Sequence, residues 1–168
     1  MANTFELIAS STVGSGGAAS IDFTNIPSTY TDLVLKVSVR SSTAASYVAL
    51  KVRYNGSASS YTAKQIYGNG SSATSNNYTD GWVGFMDGAS ATANTFSSTE
   101  VYIPNYYSAN YKSSSVDFAQ EDNATTAIAG MLARLWSDTA GVTSIAITPE
   151  SGNFVQYSTA YLYGVKNA

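Results

Sequence analysis

At 168 residues, with 44% hydrophobic residues and a formal net charge of -3, the chain is long enough to fold as one domain over residues 1–168 and to bury a core without staples. It contains no cysteine and no histidine, which excludes disulfides and thiolate metal sites and removes the usual general base near neutral pH, the usual zinc ligand and the middle member of a Ser-His-Asp triad. Its eight Lys and Arg are scattered through an acidic chain, which argues against nucleic-acid binding.

In chain order, the first predicted strand is Thr4 to Ala9, followed by a Ser/Gly loop from Ser10 to Gly17 and a short strand, Ser20 to Phe23, with Ile21 and Phe23 on one face. Pro27 marks a corner, because it cannot donate a ladder hydrogen bond. Asp32 to Arg40 then alternates cleanly, with Leu33, Leu35, Val37 and Val39 on one face and Lys36, Ser38 and Arg40 on the other. Tyr47 to Tyr54 repeats the pattern and ends at Asn55-Gly56, a pair that tolerates positive φ at both positions and predicts a tight type I′ hairpin with Tyr61 to Tyr67 as the returning strand.

Gly68 to Asp80 is polar and rich in Ser, Asn and Gly, which predicts an exposed loop. Gly81 to Met86 and Phe96 to Ile103 read as strands separated by a loop, the second ended by Pro104. Asn105 to Lys112 carries Tyr106, Tyr107 and Tyr111 in a polar setting. Ser113 to Gln120 alternates again before a turn at Glu121-Asp122-Asn123. Ala127 to Trp136 fits either a helical face or a strand; the absence of helix-cap logic and its β neighbours favour strand. Val142 to Thr148 and Gln156 to Val165 close a set of about ten strands. This is the pattern of an all-β chain folded as an antiparallel two-sheet β-sandwich of jelly-roll type, with an immunoglobulin-like sandwich as the competitor.

No stretch approaches the ~20 apolar residues that span a bilayer, so no membrane association is expected. No signal peptide is visible at Met1-Ala-Asn-Thr-Phe-Glu, which predicts synthesis in the cytoplasm. Only 11% of residues are charged, against ~25% in an average soluble protein, which suits a chain packed into an assembly, where self-repulsion is a cost, and also suits a bland secreted β-domain.

Chemistry is hard to place on this chain. Glu6, Glu100, Glu121, Glu150 and the aspartates form no recognisable pair for glycoside hydrolysis. Asp117 with Glu121-Asp122-Asn123 lacks the spacing of a calcium loop and reads as a turn. Gly14-Ser-Gly-Gly17 has no following Lys and no helix to cradle a phosphate. No catalytic residue, metal ligand or cofactor is expected. Thirteen tyrosines are more informative, since Tyr is favoured at contact surfaces. Trp82, Tyr106, Tyr107 and Tyr111, lying on or beside loops, are the candidate interaction surface, for a protein or for a sugar; the alternative is that such rings wall the core.

The segments Thr4-Phe-Glu-Leu-Ile-Ala-Ser-Ser11, Ile21-Asp-Phe-Thr-Asn-Ile-Pro-Ser-Thr-Tyr-Thr-Asp-Leu-Val-Leu35 and Tyr161-Leu-Tyr-Gly-Val165, with Arg53-Tyr-Asn-Gly56, Ile103-Pro-Asn-Tyr106 and Trp136-Ser-Asp-Thr-Ala-Gly-Val-Thr-Ser-Ile145, resemble small virion proteins of tailed bacteriophages of marine or cyanobacterial hosts. The resemblance covers nearly the whole chain. It implies a non-enzymatic virion β-sandwich, foremost a capsid decoration or cement protein bound to the major capsid protein or another virion protein, and by analogy a homotrimer. The alternative it leaves open is a head-fibre or tail-fibre module whose loops contact host glycans.

Overall fold

The computed structural model describes residues 4–124 and 126–166. Among them are twelve strands and no helix: β1 (Phe5–Thr12), β2 (Ile21–Phe23), β3 (Asp32–Val39), β4 (Tyr47–Tyr54), β5 (Tyr61–Gly68), β6 (Ala73–Tyr78), β7 (Trp82–Asp87), β8 (Ser97–Ile103), β9 (Lys112–Glu121), β10 (Ala127–Trp136), β11 (Ile145–Pro149) and β12 (Thr159–Val165). All pair antiparallel in two sheets, one of eight strands in the order β1-β12-β3-β8-β9-β10-β5-β6 and one of four in the order β2-β11-β4-β7. With the inserted pairs β5–β6 and β9–β10 set aside, β1-β12-β3-β8 faces β2-β11-β4-β7 and the chain passes back and forth between the layers, which is a jelly roll rather than an immunoglobulin-like sandwich. The insertions lengthen one sheet beyond the other.

Ala127 to Trp136 is a strand throughout. Ile128, Leu132, Arg134 and Trp136 point inward at period two while Met131 points out, so the apparent helical face mixes both sides of the sheet. Two expectations are corrected. Asn55 and Gly56 do turn with φ of 51° and 69°, closed by Ser57 N–H to the Tyr54 carbonyl at 2.9 Å, but β4 and β5 do not pair. The chain leaves the smaller sheet there and enters the larger one, because Tyr61 packs on Trp136 (ring centroids 6.3 Å apart) and its hydroxyl accepts the Tyr54 N–H at 2.7 Å. Within Gly68 to Asp80 lies β6, which forms an edge strand on β5 through a regular ladder from Ala63↔Tyr78 to Gly68↔Ala73.

The inner faces hold the core. β3 and β12 contribute Leu33, Leu35, Val37, Val39, Ala160 and Leu162, against Leu50, Val52 and Ile147 of the smaller sheet. Further across the large sheet the inward positions change character: Lys112, Ser114 and Gln120 on β9, Arg134 on β10 and Gln65 on β5 are all buried. β7 packs on β8, β9 and β10, so β5 and β6 reach past the edge of the smaller sheet. The gap is closed by rings: Phe85 lies edge-on to Tyr67 (5.9 Å), Phe118 (5.9 Å) and Trp82 (5.2 Å), and Trp82 stacks on Tyr78 at 4.0 Å with the planes 3° apart.

Candidate functional site

The four aromatic residues singled out by the sequence do not share one surface. Tyr106 is fully buried; its hydroxyl donates to the Pro27 carbonyl and its own carbonyl accepts the Val142 N–H at 2.9 Å, so this ring is a core residue and the surface assignment is corrected. Its neighbour Tyr107 points outward, 48% exposed, and Tyr111 is 59% exposed on the same loop. Trp82 lies elsewhere, on β7, half-buried in the stack with Tyr78.

The loop bearing Tyr107 and Tyr111 is held from beneath. The buried Lys112 ammonium donates to the carbonyls of Ser108 (2.8 Å), Asn110 (2.5 Å) and Asp138 (3.3 Å), and burial holds its pKa below the usual lysine value. The Tyr107 ring lies directly on Gly141, where a Cβ would come within 2.8 Å of it, so any larger residue would push the ring from this position. Asn55 ties the same end together, donating to the Gly141 carbonyl at 2.8 Å and accepting the Thr143 N–H at 2.8 Å.

On the outer face of the smaller sheet the charges are mutually satisfied. Asp80 accepts from Lys51 (2.7 Å) and Arg53 (2.5 Å), and Lys51 also reaches Glu150 (2.8 Å). Burial alone would raise the Asp80 pKa, but the two cationic donors outweigh it and the net direction is down. Among the described residues no group of three acidic side chains is placed to hold a metal ion.

The outer face of the eight-stranded sheet is different. Register aligns one residue from each strand into rows that run across the sheet. One row reads Tyr161, Lys36, Glu100, Asp117, Met131 and Ile66 from β12 to β5. Met131 is 52% and Ile66 57% exposed, and together they stand as an apolar ridge. Lys36 bridges Glu100 at 2.7 Å, whereas the Asp117 carboxylate has no ion pair or hydrogen bond among the described residues. The adjacent row reads Thr159, Ser38, Ser98, Ala119, Ala129 and Gly68, all small, and forms a trough. Hollows of about 570 and 660 Å³ open on the two sides of the Met131–Ile66 ridge, and a smaller one of about 230 Å³ continues the trough over Ser38, Ser98 and Thr159. Sequence reasoning did not find this face, because its residues come from six strands and are brought together only by register.

No family model matches the sequence, and no curated protein matches it. Among solved structures, the galectin LEC-6 of Caenorhabditis elegans is similar to this chain at 15% identity, over 84% of this chain and 94% of that one, with a TM-score of 0.31. The sandwich assignment stands on the strand pairing itself.

Proposed function

We propose that this protein is a non-enzymatic structural component of a tailed-phage particle, a capsid decoration or cement protein that seats on the outer capsid surface and stabilises the head. The observation that carries the reading is the outer face of the eight-stranded sheet, where an apolar ridge flanked by hollows lies open on a chain with few charges. Such a face gains by being covered with protein. A contact spread over it reaches the ~1,000 Å² or more of total burial that a specific interface needs, and buried area added across capsid subunits opposes their separation under internal pressure. The resemblance noted in the sequence supports the phage setting.

The test is on purified particles. Many copies per capsid, with the eight-stranded outer face covered in an image reconstruction, are expected, and Ile66→Lys should lower the copy number while leaving the fold intact. Absence of the chain from mature particles, or an Ile66→Lys variant incorporated at full occupancy, would sink the reading.

A second reading, a head-fibre or tail-fibre module that contacts host surface glycans, is favoured by one observation: Tyr107 and Tyr111 are exposed on a loop tied down by Lys112 and Gly141. Preordered rings are what sugar stacking uses. Low copy number together with loss of cell-surface polysaccharide binding in Tyr107→Ala and Tyr111→Ala would favour it over decoration.

A further inference from the structure

The ridge and the trough on the outer face of the eight-stranded sheet fit each other. They are neighbouring rows, two residues apart along every strand. A half-turn about an axis parallel to the rows and midway between them therefore lays the ridge of one molecule into the trough of another, strand for strand. Met131 then faces Ala129 of the second copy, Ile66 faces Gly68 and Asp117 faces Ala119. The row on the ridge's other side fits less well, because its small residues, Ser115 and Ala133, are flanked by Tyr102 and Lys64.

The dimensions suffice. The six strands that carry the rows, ~4.8 Å apart and about eight residues long at ~3.4 Å each, present a face on the order of 800 Å², which matches the ~800 Å² per partner of a standard specific interface. The charges permit it, since Glu100 is neutralised by Lys36 and only Asp117 is uncompensated in the ridge. We infer that the partner seated on this face is a second copy of this chain, related by a two-fold axis, with the Met131–Ile66 ridge of each copy in the Ala129–Gly68 trough of the other. This rests on the reading of the face as an assembly contact and names its occupant: the two-fold pair fills this face, so that the pair meets neighbouring capsid subunits through its remaining surfaces. It replaces the trimer that the resemblance implies with an isologous pair.

The full chain contains no cysteine, so single thiols can be placed at will. Met131→Cys and Ala129→Cys proteins, mixed and oxidised, should form disulfide-linked pairs several-fold faster than either alone, because facing thiols come within disulfide reach while thiols at the same position stay ~6.8 Å apart along the strands. Sedimentation velocity should show a concentration-dependent dimer that Ala129→Arg abolishes, with the melting temperature unchanged at dilutions where the parent is itself monomeric. Asp117→Asn should tighten the dimer several-fold by removing two carboxylates that face the same contact.

A monomer at all concentrations, a trimer, a dimer indifferent to Ala129→Arg, or equal cross-linking in mixed and unmixed samples would each overturn the inference. Weaker association in Asp117→Asn would also overturn it and would point to a partner carrying a basic residue. If the chain is monomeric but Ala129→Arg still fails to join particles, the two-fold pair alone falls and the assembly-contact reading stands.

Discussion

The two halves of the large sheet's inner face solve the same packing problem with different chemistry. Over β3 and β12 the interior is aliphatic: Leu33, Leu35, Val37 and Leu162 meet Leu50, Val52 and Ile147. Over β9, β10 and β5 it is aromatic and polar. There the Arg134 guanidinium lies 4.6 and 4.5 Å from the Tyr54 and Tyr61 ring centres, donates to the Tyr54 hydroxyl at 2.7 Å and to the Val52 carbonyl, and has no carboxylate partner among the described residues. Four strands cannot blanket eight. Where the smaller sheet ends, long side chains with polar tips and flat rings bridge the remaining gap and use backbone carbonyls as partners.

Substitutions in the two halves test this contrast. The largest expected effect is Arg134→Ala, which removes a buried stack and strands the Tyr54 hydroxyl and the Val52 carbonyl, at a cost on the order of 4 kcal/mol in urea unfolding. A loss below ~1 kcal/mol would mean that the guanidinium holds nothing together. Leu35→Ala in the aliphatic half should cost about 3 kcal/mol through a simple cavity, and if it were the costlier of the two the contrast would be reversed.

Gln65→Leu should move the other way. The Gln65 side chain is fully buried with neither amide atom hydrogen-bonded, so an apolar replacement should gain about 1 kcal/mol. A loss instead would show that water between the sheets satisfies the amide.

Asp87→Asn is the smallest change and is read as a slope. Burial raises the Asp87 carboxyl pKa above its usual 3.8, only partly offset by the hydrogen bond from Gln120. The folded state therefore holds a proton that the unfolded state has already released, and stability falls as pH rises from the ordinary carboxylate value to the raised one. The melting-temperature difference between Asp87→Asn and the parent should grow over that window and then level off. A difference independent of pH would remove the buried acid from the account.

Much of the architecture was legible because burial on one face imposes alternation. β9 is the plainest case: Lys112, Ser114, Val116, Phe118 and Gln120 point in while every intervening residue points out. β6 was not legible. Ala73-Thr-Ser-Asn-Asn-Tyr78 lies half-exposed at a sheet edge, and its ladder with β5 uses backbone groups that every residue carries. The crossing from β4 to β5 was missed because turn chemistry at Asn55-Gly56 is local, whereas the choice of sheet is made by Tyr61 against Trp136, far apart in sequence.

The candidate surface was legible only in part, for the same reason. Tyr106 and Tyr107 are adjacent and chemically identical, and only the Pro27 carbonyl and Gly141, supplied by other loops, decide which is core and which is display. The ridge joins Met131 of β10 to Ile66 of β5, so no window of sequence contains it.

The pairing of β1 with β12, from Phe5↔Val165 to Thr12↔Thr159, sets the order in which the molecule can be finished. β12 also separates β1 from β3 in the sheet, so during synthesis β1 has no neighbour in its sheet until residues 159–165 have emerged. Non-local closure of this kind folds slowly, on the millisecond-to-second scale typical of all-β topologies. Until then two strand edges remain open to other chains, so newly made molecules are at their most adhesive just before β12 is in place.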